Sequence, residues 1–164
     1  MAMHDNVEDA GLMTDFSHLI NGKLVDSENS LEVIDPATGA IFARCPDARL
    51  EQLDEAVAAA RNAFLSWRET SYADRAALLR QLSVALGDNQ DTLGELLTRE
   101  QGKPFAQSQA EIGRGGGQLN GLSAIEIPVE VLVDNEQVHI EMHYRPLGVV
   151  GIITPWNAIT MGQL

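Results

Sequence analysis

The residues best suited to chemistry in this 164-residue chain lie in Ile152-Ile153-Thr154-Pro155-Trp156-Asn157. An apolar run, Val149 to Ile153, leads into them from Gly148 and has the composition of a strand buried on both faces of a parallel sheet. Such a strand ending in Thr-Pro-Trp-Asn sets polar and aromatic groups at the carboxyl edge of a sheet, where open α/β sheets bind their ligands. There the side chain of Asn157 can donate to a developing oxyanion and Trp156 can wall a cofactor. A turn built around a buried tryptophan accounts for the same residues without any chemistry.

Other constellations carry less. Gly113-Arg114-Gly115-Gly116-Gly117 invites a phosphate cradle, but no G-x-G-x-x-G or Gly-Lys-Ser/Thr accompanies it and no strand precedes it, so it reads as a loop. His139, Glu141 and His143 share one face of a strand. Histidines four apart on a strand are about 13 Å apart, unlike the adjacent pair that binds zinc from a helix, so this is a solvated face and no metal site is expected. Cys45 precedes Pro46 with no histidine near it in sequence, the setting of a buried and inert thiol. In Glu100-Gln101-Gly102-Lys103 the lysine reads as a helix-end cation favoured by the dipole.

The elements that must position these groups follow from turn residues and periodicity. Between His18 and Cys45, short apolar runs are broken by Asn21-Gly22, by Ser27 to Ser30 and by Asp35 to Gly39. Two or three small strands result, the last pair closing over the Pro36-to-Gly39 turn. Leu53, Ala56, Val57, Ala60, Phe64 and Trp67 then recur at helical steps and predict an amphipathic helix over 50–67, with Phe64 and Trp67 in the core. Ser71 with Asp74 opens a second helix, whose buried face is Leu78, Leu79, Leu82 and Leu86. Asp88 with Asp91 repeats the device for a third helix, which stops at Gly102-Lys103-Pro104. A fourth helix begins at Pro104 and is expected to break at Gly113 to Gly117, since each glycine costs about 1 kcal/mol against alanine. From Ile127 the period drops to two, giving a hairpin with one apolar face that must lie on something else.

The overall balance narrows the partners. Twenty-four acidic and 11 basic side chains give a formal net charge of −13, a field that repels phosphate backbones and anionic lipid. Nucleic-acid and membrane-surface binding are disfavoured. No apolar run is long enough to span a bilayer, and the first residues, 1–15, are acidic and without period, so a flexible arm and a cytoplasmic protein are expected. A single cysteine excludes an internal disulfide and fits a reducing compartment.

Read in order, "INGKLVDS", "VIDPATGAIFARCPDA", "LDEAVAAARNAFLSW", "ADRAALLRQL", "LLTREQGKP" and "RPLGVVGIITPWN" resemble the N-terminal third of the NAD(P)-dependent aldehyde dehydrogenases, from about Phe16 to Asn157. The resemblance implies an α/β fold of four parts. These are the arm, an N-terminal part of the cofactor-binding domain over 16–126, an oligomerisation hairpin over 127–146, and the first strand of a Rossmann-like dinucleotide-binding sheet over 147–164. It further implies that Ile153, Thr154, Pro155 and Trp156 line a site for NAD or NADP and that Asn157 helps form the oxyanion hole. The substrate would be an aldehyde, oxidised to a carboxylic acid. Residues 127–144 would join a homo-oligomer, or dock a non-catalytic chain on intact subunits.

Departures from the family pattern accompany it. The nucleophilic cysteine and the general-base glutamate have no counterpart here, and Cys45 does not match the nucleophile's position, so a fragment inactive by itself is expected. GRGGGQLNG stands where the family has an aromatic- and alanine-rich helix, and Ala158-Ile159-Thr160 where a proline soon follows the asparagine. A premature end, a reading-frame change and an incomplete gene each account for this.

Overall fold

A computed structural model describes residues 16–158; the arm at 1–15 and the last six positions, 159–164, lie outside the described residues. Strands β1 (His18–Ile20) and β2 (Lys23–Val25) form one antiparallel pair, and β3 (Asn29–Ile34) and β4 (Ile41–Asp47) another. Asn21 and Gly22, with φ of 53° and 72°, make the two-residue left-handed turn that suits strand twist. In the second hairpin the Asp35 carbonyl accepts from Thr38 N and Gly39 N, and its carboxylate from Ala37 N at 2.8 Å. The Pro36-to-Gly39 closure is as expected, but four strands in two hairpins stand where two or three were expected.

Helix α1 (Leu50–Trp67) has the expected bounds. Its start is tied down by the buried Gln52, whose Oε1 accepts from Arg49 N and Ser27 Oγ and whose Nε2 donates to Asp26 O. Its apolar stripe is less covered than the periodicity suggests: Leu53 and Trp67 remain about half-exposed, so Trp67 is not a core residue here.

Helices α2 (Tyr72–Asp88) and α3 (Gln90–Gln101) both pack on α4 (Phe105–Leu122), and Ala76, Leu97, Ile112 and Leu119 of these helices are buried. Ser71 caps α2 by accepting from Asp74 N at 3.1 Å. Leu78 and Leu82 lie on the open side of α2 and are not buried. Asp88 does not cap α3. Helix α2 runs through it, and Asn89 serves as the end of one helix and the start of the next. Gly102, at φ 77°, ends α3 in the left-handed conformation, and Pro104 begins α4.

The fourth helix does not break. Gly115 and Gly116 are buried inside α4, and a Cβ on Gly116 would stand 3.4 Å from the Ser83 carbonyl of α2. The intrinsic cost of glycine is offset by the close approach of two helices that it permits.

Strands β5 (Glu130–Asp134) and β6 (His139–Met142) form a third antiparallel pair with an irregularity between Val131 and Val133. Val129, Val131, Val138 and Ile140 are about half-exposed along it. The expected buried strand at Val149 to Ile153 is absent: the segment joins no ladder, and Val150, Ile152 and Ile153 are exposed. A strand of parallel-sheet type exists only beside neighbours, and none of the six described strands runs next to this one.

Candidate active-site turn

The turn Thr154-Pro155-Trp156-Asn157 rests on the junction between α3 and α4. Gln101, the last residue of α3, donates through Nε2 to the Trp156 carbonyl. Lys103, between the left-handed Gly102 and Pro104, donates through Nζ to the Asn157 carbonyl at 2.9 Å and pairs with Glu111 of α4. Glu111 is only 1% exposed and Ser108, one turn before it, is fully buried and bonded to Thr98. No buried side-chain nitrogen or oxygen among the described residues lacks a partner. A cleft of about 460 Å³ opens between turn and helix, lined by Lys103, Gln107, Glu111, Arg114 and Asn157.

Of the sequence-derived site residues, Thr154 is half-buried, whereas Ile153 is 99% and Trp156 81% exposed. The reading of a turn around a buried tryptophan is thereby excluded. Lys103 is the residue that sequence reasoning underrated. Its side chain is largely buried, and its ammonium is shared between a buried carboxylate and the turn.

The remaining candidates stand apart from the turn. Cys45, in β4, is partly buried, and that burial raises its thiol pKa, with the charge of Glu100 adding to the effect. Arg99 lies 3.6 Å from Asp35 and stacks over Phe42, which docks the β3–β4 hairpin against α3. His139 places Nδ1 3.1 Å from Asp134 and Nε2 3.1 Å from Glu141, whose other oxygen is 2.8 Å from His143 Nε2. The bond to Glu141, then that to Asp134, raises the His139 pKa, and the two histidines hold Glu141 below the usual carboxylate value. No group of three or more His, Cys, Asp or Glu among the described residues is arranged to hold a metal ion. No helix of the described residues is long and apolar enough to cross a membrane.

Known proteins resemble this chain in sequence and in fold. The aldehyde dehydrogenase family profile matches residues 24–161. The chain is 35% identical over 147 residues to a malonate-semialdehyde dehydrogenase of Lacticaseibacillus casei, covering 85% of this chain and 30% of that protein. To a succinate-semialdehyde dehydrogenase [NADP(+)] of Schizosaccharomyces pombe it is 32% identical over 147 residues, covering 84% and 29%. An Escherichia coli NADP-dependent enzyme superposes with a TM-score of 0.84 at 28% identity, covering 92% of this chain and 33% of that one. An indole-3-acetaldehyde dehydrogenase in apo form superposes at 0.86 and 27%, covering 92% and 36%. The chain thus spans about a third of the length of the proteins it matches. A profile match that takes in the β3–β4 and β5–β6 hairpins, the four helices and the Thr-Pro-Trp-Asn turn shows that the chain belongs to the aldehyde dehydrogenase family.

Proposed function

We propose that this chain supplies the oxyanion-donor turn and one wall of the dinucleotide site in an NAD(P)-dependent oxidation of an aldehyde to a carboxylic acid. The observation that carries the proposal is the turn itself, with an exposed Trp156 and an Asn157 whose backbone is held by Gln101 of α3 and by Lys103 of the α3–α4 link. The family's relatives, among them the two semialdehyde dehydrogenases, support the substrate class.

The residues present fit one side of a dinucleotide and no more. Ile153 and Trp156 offer an open apolar and aromatic surface against which a planar ring can lie, while the nearest cation, Lys103, is engaged by Glu111. When bound, NAD+ or NADP+ supplies the hydride acceptor. Asn157 donates an amide N–H to the oxygen of the tetrahedral adduct, and Trp156 screens that face from water. The chain's one thiol, Cys45, sits in β4 with a raised pKa and is no activated nucleophile. The isolated chain binds without turning over.

Absorbance of the reduced cofactor, with NAD+ or NADP+ and a panel of aldehydes, tests the second statement; turnover above the blank by the 164-residue chain would overturn it. The first is tested in a chimera that joins this chain to the remaining portion of a family member. There Asn157→Ala should lower kcat by about 10²- to 10³-fold, the effect of one lost oxyanion donor. An unchanged kcat reduces Asn157 to a turn residue.

The apolar face of β5–β6 supports a second element of the proposal, a homo-oligomer joined through 127–144 in the cytoplasm. Val133 and Ile140, paired in register, are 37% and 44% exposed, an unfavourable state for an isolated hairpin that a second copy would relieve. Sedimentation of the chimera against its Val133→Asp/Ile140→Asp form measures this, and identical masses would refute it.

A further inference from the structure

We propose that Lys103 is a positioning residue for Asn157, holding the backbone of the oxyanion-donor turn and referring it, through Glu111, to helix α4. That Asn157 acts on an oxyanion rests on the function proposed above; the tether does not.

The geometry is specific. The peptide plane that ends in the Trp156 carbonyl lies on one side of the Asn157 Cα, and the plane that ends in the Asn157 carbonyl lies on the other. Gln101 holds the first carbonyl and Lys103 the second. Because each peptide unit is rigid, fixing both planes fixes φ and ψ at Asn157 and with them the direction of its Cα–Cβ bond. An amide side chain aimed at a reacting oxygen needs that direction held, since a displacement of about 1 Å can cost two orders of magnitude in rate.

Lys103 is itself held. Pro104 follows it at φ −55°, and the proline ring disfavours the helical region for Lys103, so its backbone freedom is reduced. The Lys103 and Glu111 side chains are 17% and 2% exposed. Glu111 thus fixes the ammonium without taking all three of its N–H donors, leaving one for the Asn157 carbonyl. That bond is charge-assisted and stronger than an amide donor would make. A lysine that merely neutralised Glu111 would not need to reach residue 157.

The test has two arms. In the 164-residue chain carrying Trp67→Phe, Trp156 is the only tryptophan and its fluorescence anisotropy reports the mobility of the turn. Lys103→Met should lower that anisotropy while the helical circular dichroism stays unchanged, and Lys103→Arg should restore most of it. If Lys103→Met loses its helical signal, the Lys103→Met/Glu111→Leu form removes the stranded buried charge, and its Trp156 anisotropy should still fall. Wild-type anisotropy in the folded variant would overturn the proposal. In the chimera, Lys103→Met should lower kcat by at least about 10-fold with the aldehyde KM little changed, the pattern of an interaction realised in the transition state. In an Asn157→Ala background the same substitution should have no further effect, whereas an undiminished second loss would show that Lys103 acts elsewhere. If Asn157→Ala alone leaves kcat unchanged, the oxyanion role fails, and the anisotropy arm decides the tether by itself.

Discussion

Ser83 of α2 donates its hydroxyl to the carbonyl of Gly116 in α4 at 2.7 Å, so the two helices are hydrogen-bonded through a side chain and a backbone at the middle of a glycine run. The bond needs the backbone of α4 within reach of α2. Glycines at 115 and 116, both buried, give that approach.

The glycines of α4 therefore differ in what they tolerate. Nothing lies within 4 Å of a Cβ placed on Gly117, so Gly117→Ala should raise stability by about 1 kcal/mol through helix propensity alone. Gly116→Leu would drive a side chain into Ser83 and Leu86 and should cost about 1–3 kcal/mol, the range for an overpacked core. Urea denaturation followed by circular dichroism measures both, and equal midpoints would contradict the packing described.

The β5–β6 hairpin carries a pH dependence of defined sign. The His139 pKa is raised by Glu141 and Asp134, so its contribution is complete below the ordinary histidine value of 6.5 and is lost as pH rises through the raised one. Glu141 is lowered by His139 and His143, so its contribution is complete above 4.5 and is lost as pH falls through the lowered value. The two are fullest together between 4.5 and 6.5. An NMR titration of the His139 ring should show Glu141→Gln bringing it back toward 6.5, while an unshifted titration would remove Glu141 as the principal cause.

Cys45 should be a slow thiol. Burial and the Glu100 charge both disfavour its thiolate, so its reaction with an aromatic disulfide at pH 7 should accelerate on unfolding in urea and rise modestly in Glu100→Gln. Reaction in the native state as fast as a free thiol would contradict that burial.

Local patterns served where one segment suffices to decide. The bounds of α1, the Ser71 cap and the Gly102 stop each depend on residues within a turn or two of each other. Distant partners decided the rest. The run of glycines predicts a break until Ser83, 33 residues earlier, is placed against it. Val149 to Ile153 has a strand's composition, but its ladder would have to come from residues that do not lie beside it here. Of the candidate site, Asn157 and Trp156 were legible in the Thr-Pro-Trp-Asn text. Lys103 was not, because its second contact lies 54 residues away in sequence and its first is a glutamate in another helix.

Helices α2, α3 and α4 are consecutive in the chain and joined by links of only a few residues. Closing such links costs little chain entropy, so the helical layer can assemble as soon as it is synthesised. Thr154 to Asn157 come off the ribosome afterwards, when Gln101, Lys103 and Glu111 already stand in place. The turn is moulded on a finished platform, and errors in building that platform are inherited by the backbone at Asn157.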